Sequence, residues 1–73
     1  METKSIAKVI GNNIKSLRAT SGLTIEQCAE LAGISSREFS DIEHGKVIPK
    51  VTTLFGICDC FNTSIESLLN RVL

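Results

Sequence analysis

Residues 22–45, GLTIEQCAELAGISSREFSDIEHG, read as two short helices joined by a tight turn. Thr24 opens the first. A hydroxyl three residues before Gln27 is a capping box, in which each side chain satisfies a main-chain N–H that the helix start leaves without a partner. Glu26 adds a negative charge at the positive end of that helix. Cys28, Ala29 and Leu31 form an apolar face expected to be buried, and Gly33 ends the helix. Ser35 and Glu38 repeat the capping-box spacing and start the second helix, which carries Phe39 and Ile42 inward and stops before Gly45. Ala29 is small where the two helices must cross, Gly33 permits the turn, and Ile34 plugs the core between them. The outer face of the second helix is polar: Ser36, Arg37, Ser40, Asp41 and His44.

On the N-terminal side, Ile6, Val9, Ile10, Ile14 and Leu17 recur at helical spacing with lysines and Arg18 between them, which predicts an amphipathic helix of about four turns. Gly11 falls in its middle, where helix propensity alone charges up to ~1 kcal/mol, and Ser21-Gly22 is its stop. On the C-terminal side, Pro49 lies in a loop with Lys46 and Lys50. Val51, Leu54, Phe55, Ile57, Cys58 and Phe61 then outline a fourth helix with a weak N-cap, ended by Asn62. Ser64 caps a short fifth helix with Ile65, Leu68 and Leu69. No run alternates as a strand does. The expected fold is all-α, five helices, one domain over residues 1–73.

Composition narrows the function. Seventy-three residues with 42% apolar and 22% charged side chains suit a small globular domain rather than a rod or a disordered tail. Eight basic residues balance eight acidic ones, so bulk charge does not announce a nucleic-acid binder, and any such reading depends on where the charges lie. No run approaches the roughly 18 apolar residues of a membrane span. Met1-Glu2-Thr3-Lys4 leads into no secretory h-region, so the expected location is cytoplasmic, with no membrane association. Cys58 and Cys60 stand about 200° apart around a helix, and Cys28 and His44 are isolated in sequence, so no metal site and no cofactor are expected. The three cysteines read as reduced core residues. No Ser/His/Asp set is spaced for catalysis, and Gly22, Gly33 and Gly45 each follow a helix and read as caps, not as a phosphate loop. The chain is not expected to be an enzyme.

Two capped helices around a glycine turn are a helix-turn-helix arrangement, and short side chains with one Arg at the start of the second helix suit insertion into a DNA major groove. At this point residues 13–69 resemble the phage-repressor/Cro (XRE-type) helix-turn-helix family. The landmarks are Leu17-Arg18, Gly22-Leu23-Thr24, Ala29, Gly33-Ile34-Ser35, Ile42-Glu43-x-Gly45, Pro49, Leu54 and Ser64-Ile65-x-x-Leu68-Leu69. The resemblance implies a five-helix lambda-repressor-like domain with the motif at helices 2 and 3. It implies that Ser36, Arg37 and Asp41 face base edges, and that Thr24, Ser35, Lys46 and Lys50 contact phosphates. It also implies that Arg18 and Glu43 form a partly buried ion pair joining helix 1 to the end of helix 3. Ile25 departs from the Gln usual in the family, and residues 24–46 carry five acidic against two basic side chains.

Arg37 has two readings: a guanine reader, since its planar fork matches O6 and N7, or a surface Arg paired with Asp41 at i,i+4. The expected function is a sequence-specific regulator, a repressor in the family's usual manner, acting as a homodimer on double-stranded DNA with a pseudo-palindromic operator. The apolar C-terminal end (Leu69, Val72, Leu73) and the loop before Ser64 are the candidate dimer surface. The alternative is a protein-interaction module of the same fold, an antitoxin or adaptor with a protein partner and little affinity for DNA.

Overall fold

A computed structural model of the chain describes residues 3–72. These form α1 (Thr3–Ser21), α2 (Ile25–Ala32), α3 (Ser36–Glu43), α4 (Val51–Phe61) and α5 (Ile65–Leu68), with no strand among the described residues. Leu73, part of the expected dimer surface, lies outside the described residues.

The helix ends follow from local chemistry. The Thr24 hydroxyl accepts from the Gln27 N–H at 3.1 Å, while the Gln27 side-chain oxygen accepts from the Thr24 N–H at 2.9 Å. At α3 only the forward half of the box is made: the Ser35 hydroxyl accepts from the Glu38 N–H at 3.0 Å. Gly33 (φ 76°) closes α2 in the left-handed conformation, and its N–H and that of Ile34 satisfy carbonyls of the last turn. Asn62 (φ 51°) does the same for α4. The starts of α4 and α5 have no side-chain cap, and the Ser64 hydroxyl meets that of Ser67 instead of a main-chain N–H.

The core is built from all five helices: Ile10 and Ile14 of α1, Cys28 and Ala29 of α2, Phe39 and Ile42 of α3, Leu54, Ile57 and Cys58 of α4, and Leu68 of α5. α2 packs on both α3 and α4, and α1 lies across α3. Asn13 ties the C-terminal turn to α1 by donating to the carbonyls of Leu68 and Asn70.

Two sequence expectations need correcting. Gly11 is not a soft point in α1, which runs unbroken; it is buried, and a Cβ there would sit 2.5 Å from the Ile42 carbonyl oxygen and 2.7 Å from that of Glu43. The missing side chain is what lets α1 lie on the last turn of α3. Leu31, Val51 and Phe55 face solvent, at 62%, 65% and 54% exposure. α2 and α4 meet instead where Gly56 lies against Ala32.

The fully buried Cys28 thiol has its pKa pushed up to about 12, chiefly by desolvation and then by the neighbouring Cys60 thiol. An unfolded thiol ionises near pH 9. Above that pH the folded chain therefore holds a proton that the unfolded chain loses, so this stability is complete below pH 9 and is lost as the pH climbs toward 12. The melting midpoint is expected to hold up to pH 9 and then to fall by ~10 °C at pH 11. Cys28→Ala should melt lower throughout yet lose most of that alkaline slope; parallel curves for the two proteins would remove Cys28 as the cause.

Candidate nucleic-acid interface

α2 and α3 present their N-termini with Thr24 and Ser35 exposed at the two caps. Both hydroxyls are engaged in capping, so the groups left open to an approaching anion are main-chain N–H groups of the first turns, at the positive ends of the helix dipoles. Ser36 and Arg37 follow Ser35 and are exposed. One turn on, Asp41 is half-buried on the same side.

Asp41 does not pair with Arg37. Its carboxylate instead lies 3.9 Å from the Lys46 ammonium, and its carbonyl accepts from the Lys46 N–H at 3.0 Å. The Arg37 guanidinium makes no ion pair within the described residues. The loop thus folds back beside α3 and brings Lys46 to the residue the sequence pairs with Arg37. A groove of about 380 Å³ runs between α3 and this loop, with Arg37, Glu38 and Asp41 on one wall and Val47, Ile48 and Pro49 on the other. Lys50 stands at its edge, exposed, at the N-cap of α4. The aliphatic wall is a feature the sequence reading passed over; the adjacent Val47-Ile48 in an otherwise basic loop was the available signal. His44 is exposed at the end of α3, and its Nδ1–H donates to the Ser40 carbonyl at 2.7 Å.

Behind this face, Arg18 reaches from α1 to Glu43. Its Nε donates to Oε2 at 2.5 Å and its second terminal nitrogen to Oε1 at 3.1 Å, a two-point fork on a carboxylate only 2% exposed. A further bond to the Leu23 carbonyl at 3.3 Å holds the start of the motif to the same guanidinium. The Glu43 hydrogen bond raises the Arg18 pKa above its ordinary value, so the cation persists at every working pH. Ile25 is half-buried and packs on the core, which explains an aliphatic side chain there.

Comparison with known proteins agrees with this architecture. Residues 9–71 match the family model described as a helix-turn-helix domain. The chain is 33% identical over 62 residues to an uncharacterized HTH-type transcriptional regulator, y4dJ, of Sinorhizobium fredii, covering 85% of this chain and 80% of that protein. It is 41% identical over 63 residues to the antitoxin PezA of Streptococcus pneumoniae, covering 86% of this chain and 40% of the antitoxin. Among solved structures it is similar to the clp gene regulator ClgR of C. glutamicum, with a TM-score of 0.82 and 25% identity over 88% of this chain and 83% of that one.

Proposed function

This chain belongs to the helix-turn-helix domain family, and from that membership we propose that it is a DNA-binding transcriptional regulator whose α3 enters the major groove of double-stranded DNA. The observation that carries the proposal is the arrangement of α3: a capped N-terminus with Ser36 and Arg37 exposed beside it, Asp41 one turn later, and Lys46 and Lys50 flanking the same groove. Arg37 and Asp41, with Ser36, read base edges; the Arg37 guanidinium, exposed and without an ion pair among the described residues, is ready for guanine, and Asp41 accepts from a cytosine amine. Thr24, Ser35, Lys46 and Lys50 fix the register on phosphates, the first two through the main chain at their helix starts. The protein acts in the cytoplasm and represses by occupying its site.

One recognition helix reads few base pairs, so the working form is a homodimer with half-sites ~34 Å apart. In the expected pairing surface at the C-terminal end, Leu69 and Val72 are half-buried against the core and offer less open apolar area than the outer face of α4. Besides Leu31 on α2, the exposed large hydrophobic side chains among the described residues are Val47, Ile48, Val51 and Phe55, on the loop beside α3 and the outer stripe of α4, and these four are the residues assigned to the dimer.

Selection of duplexes from a random pool at moderate salt, followed by titration of the best one, tests the reading. The enriched motif should contain a dyad, and the complex should sediment with two chains. Arg37→Ala should cost ~1–3 kcal/mol at one base position, whereas Lys50→Ala should weaken all sequences alike and flatten the salt dependence by about one counterion per subunit. With few groove-facing cations and acidic neighbours, the dimer should release only about 4–6 counterions. If both variants bind the selected duplex like the parent, α3 is not in a groove. The protein-partner reading, which the similarity to an antitoxin supports, then replaces this one.

A further inference from the structure

Two of the three cysteines stand on facing helices beside a close helix crossing. Gly56 of α4 lies on Ala32 of α2, so near that a Cβ on Gly56 would be 3.0 Å from the Ala32 carbonyl oxygen. One turn from that point, toward the start of α2 and the end of α4, stand Cys28 and Cys60. The Cys28 side chain is fully buried in the core, and Cys60, partly open to solvent, packs against that same core from the facing helix. Cys58 is buried too but stands about 200° around the α4 axis from Cys60. All three sulfurs are free thiols. The DNA reading above uses none of them.

We propose that oxidation by a hydroperoxide closes a Cys28–Cys60 disulfide that latches α2 to α4. Cys60, the accessible partner, attacks the peroxide as its thiolate; the O–O bond breaks, the distal oxygen leaves as alcohol or water, and Cys60 becomes a sulfenic acid. The Cys28 sulfur then attacks the Cys60 sulfur. Its S–H proton goes to the departing hydroxide, which leaves as water. In sum, two thiols and one hydroperoxide give one disulfide, one water and one alcohol (or a second water). The division of labour follows from access: Cys28 is sealed from the peroxide, whereas Cys60 is partly open to it. A disulfide needs Cα atoms within about 7 Å, and both cysteines stand one turn from a crossing at which Gly56 lies on Ala32. The bridge closes a loop of about 30 residues spanning the recognition helix, which restricts the unfolded chain most.

The test treats the reduced full chain with hydrogen peroxide and follows intact mass, a non-reducing peptide map and the melting curve. The expected product is lighter by two hydrogens, is mapped to Cys28–Cys60, melts ~10 °C or more higher, and reverts with dithiothreitol. Cys58→Ala should close the same bridge, which separates it from its neighbour on the same tryptic peptide. Cys60→Ser, altered at a partly exposed position, should fold and melt like the reduced parent but gain nothing from peroxide. Three thiols still titratable after treatment, oxygen added at Cys60 without loss of two hydrogens, a bridge to Cys58, or a bridge between two chains would each overturn the proposal.

Discussion

Glu43→Ala is expected to lower the melting midpoint by 15 °C or more, measured by the loss of helical circular dichroism on heating. The carboxylate is 2% exposed and receives two N–H groups from Arg18. Removing it leaves a guanidinium over a hole without its counter-charge, a change that costs ~3–5 kcal/mol where a buried pair loses one member. A chain of this size has a net stability of the same order, so the variant should be partly unfolded at room temperature. The control is the double replacement Arg18→Met with Glu43→Leu, which deletes both charges and should recover most of the loss. A single variant that melts like the parent would mean that the pair is worth no more than a surface ion pair.

Gly11→Ala should also destabilise, although alanine is the better helix former by ~1 kcal/mol. The added methyl would fall 2.5 Å from one carbonyl oxygen of α3 and 2.7 Å from the next. Both obstacles are backbone, so neither can rotate aside, and α1 must lift from the last turn of α3. That movement strains the Arg18–Glu43 fork, which bridges the same two helices. The net loss is expected to be at least ~2 kcal/mol, or ~10 °C in melting midpoint. A neutral or stabilised variant would show that α1 and α3 can slide apart freely. A second variant, Gly22→Ala, separates the crossing from backbone strain: its Cβ meets nothing within 4 Å, and its cost comes only from a φ of 75°.

These two sites show what could be read from the sequence and what could not. The capping pair Thr24 and Gln27, the glycine at 33 and the asparagine at 62 were legible because each acts within a few residues of itself. Gly11 was misread because propensity sees only the helix that contains it, whereas its reason lies in the carbonyls of Ile42 and Glu43, more than thirty positions away. The same limit explains Val51 and Phe55. Helical spacing groups them with Leu54 and Cys58 on one broad apolar arc, but only the placement of α2 decides which edge of that arc is covered. Asp41 illustrates it at the candidate interface. Arg37 was the natural partner by spacing, four residues away on the same helix, but the return of the loop delivered Lys46.

α3 is clamped at one end. Its last turn is pressed by Gly11 and forked by Arg18, its middle is anchored by the buried Phe39, and its first turn, with Ser36 and Arg37, is exposed beyond the Ser35 cap. Mechanically this is a cantilever about 10 Å long at 1.5 Å per residue. A small tilt at the fixed end is multiplied at the free end, where the exposed side chains are. A packing change deep between α1 and α3 therefore re-aims Arg37 without altering any residue on the surface. Two chains with identical α3 sequences can point those side chains differently, since α3 rests on both α1 and α2.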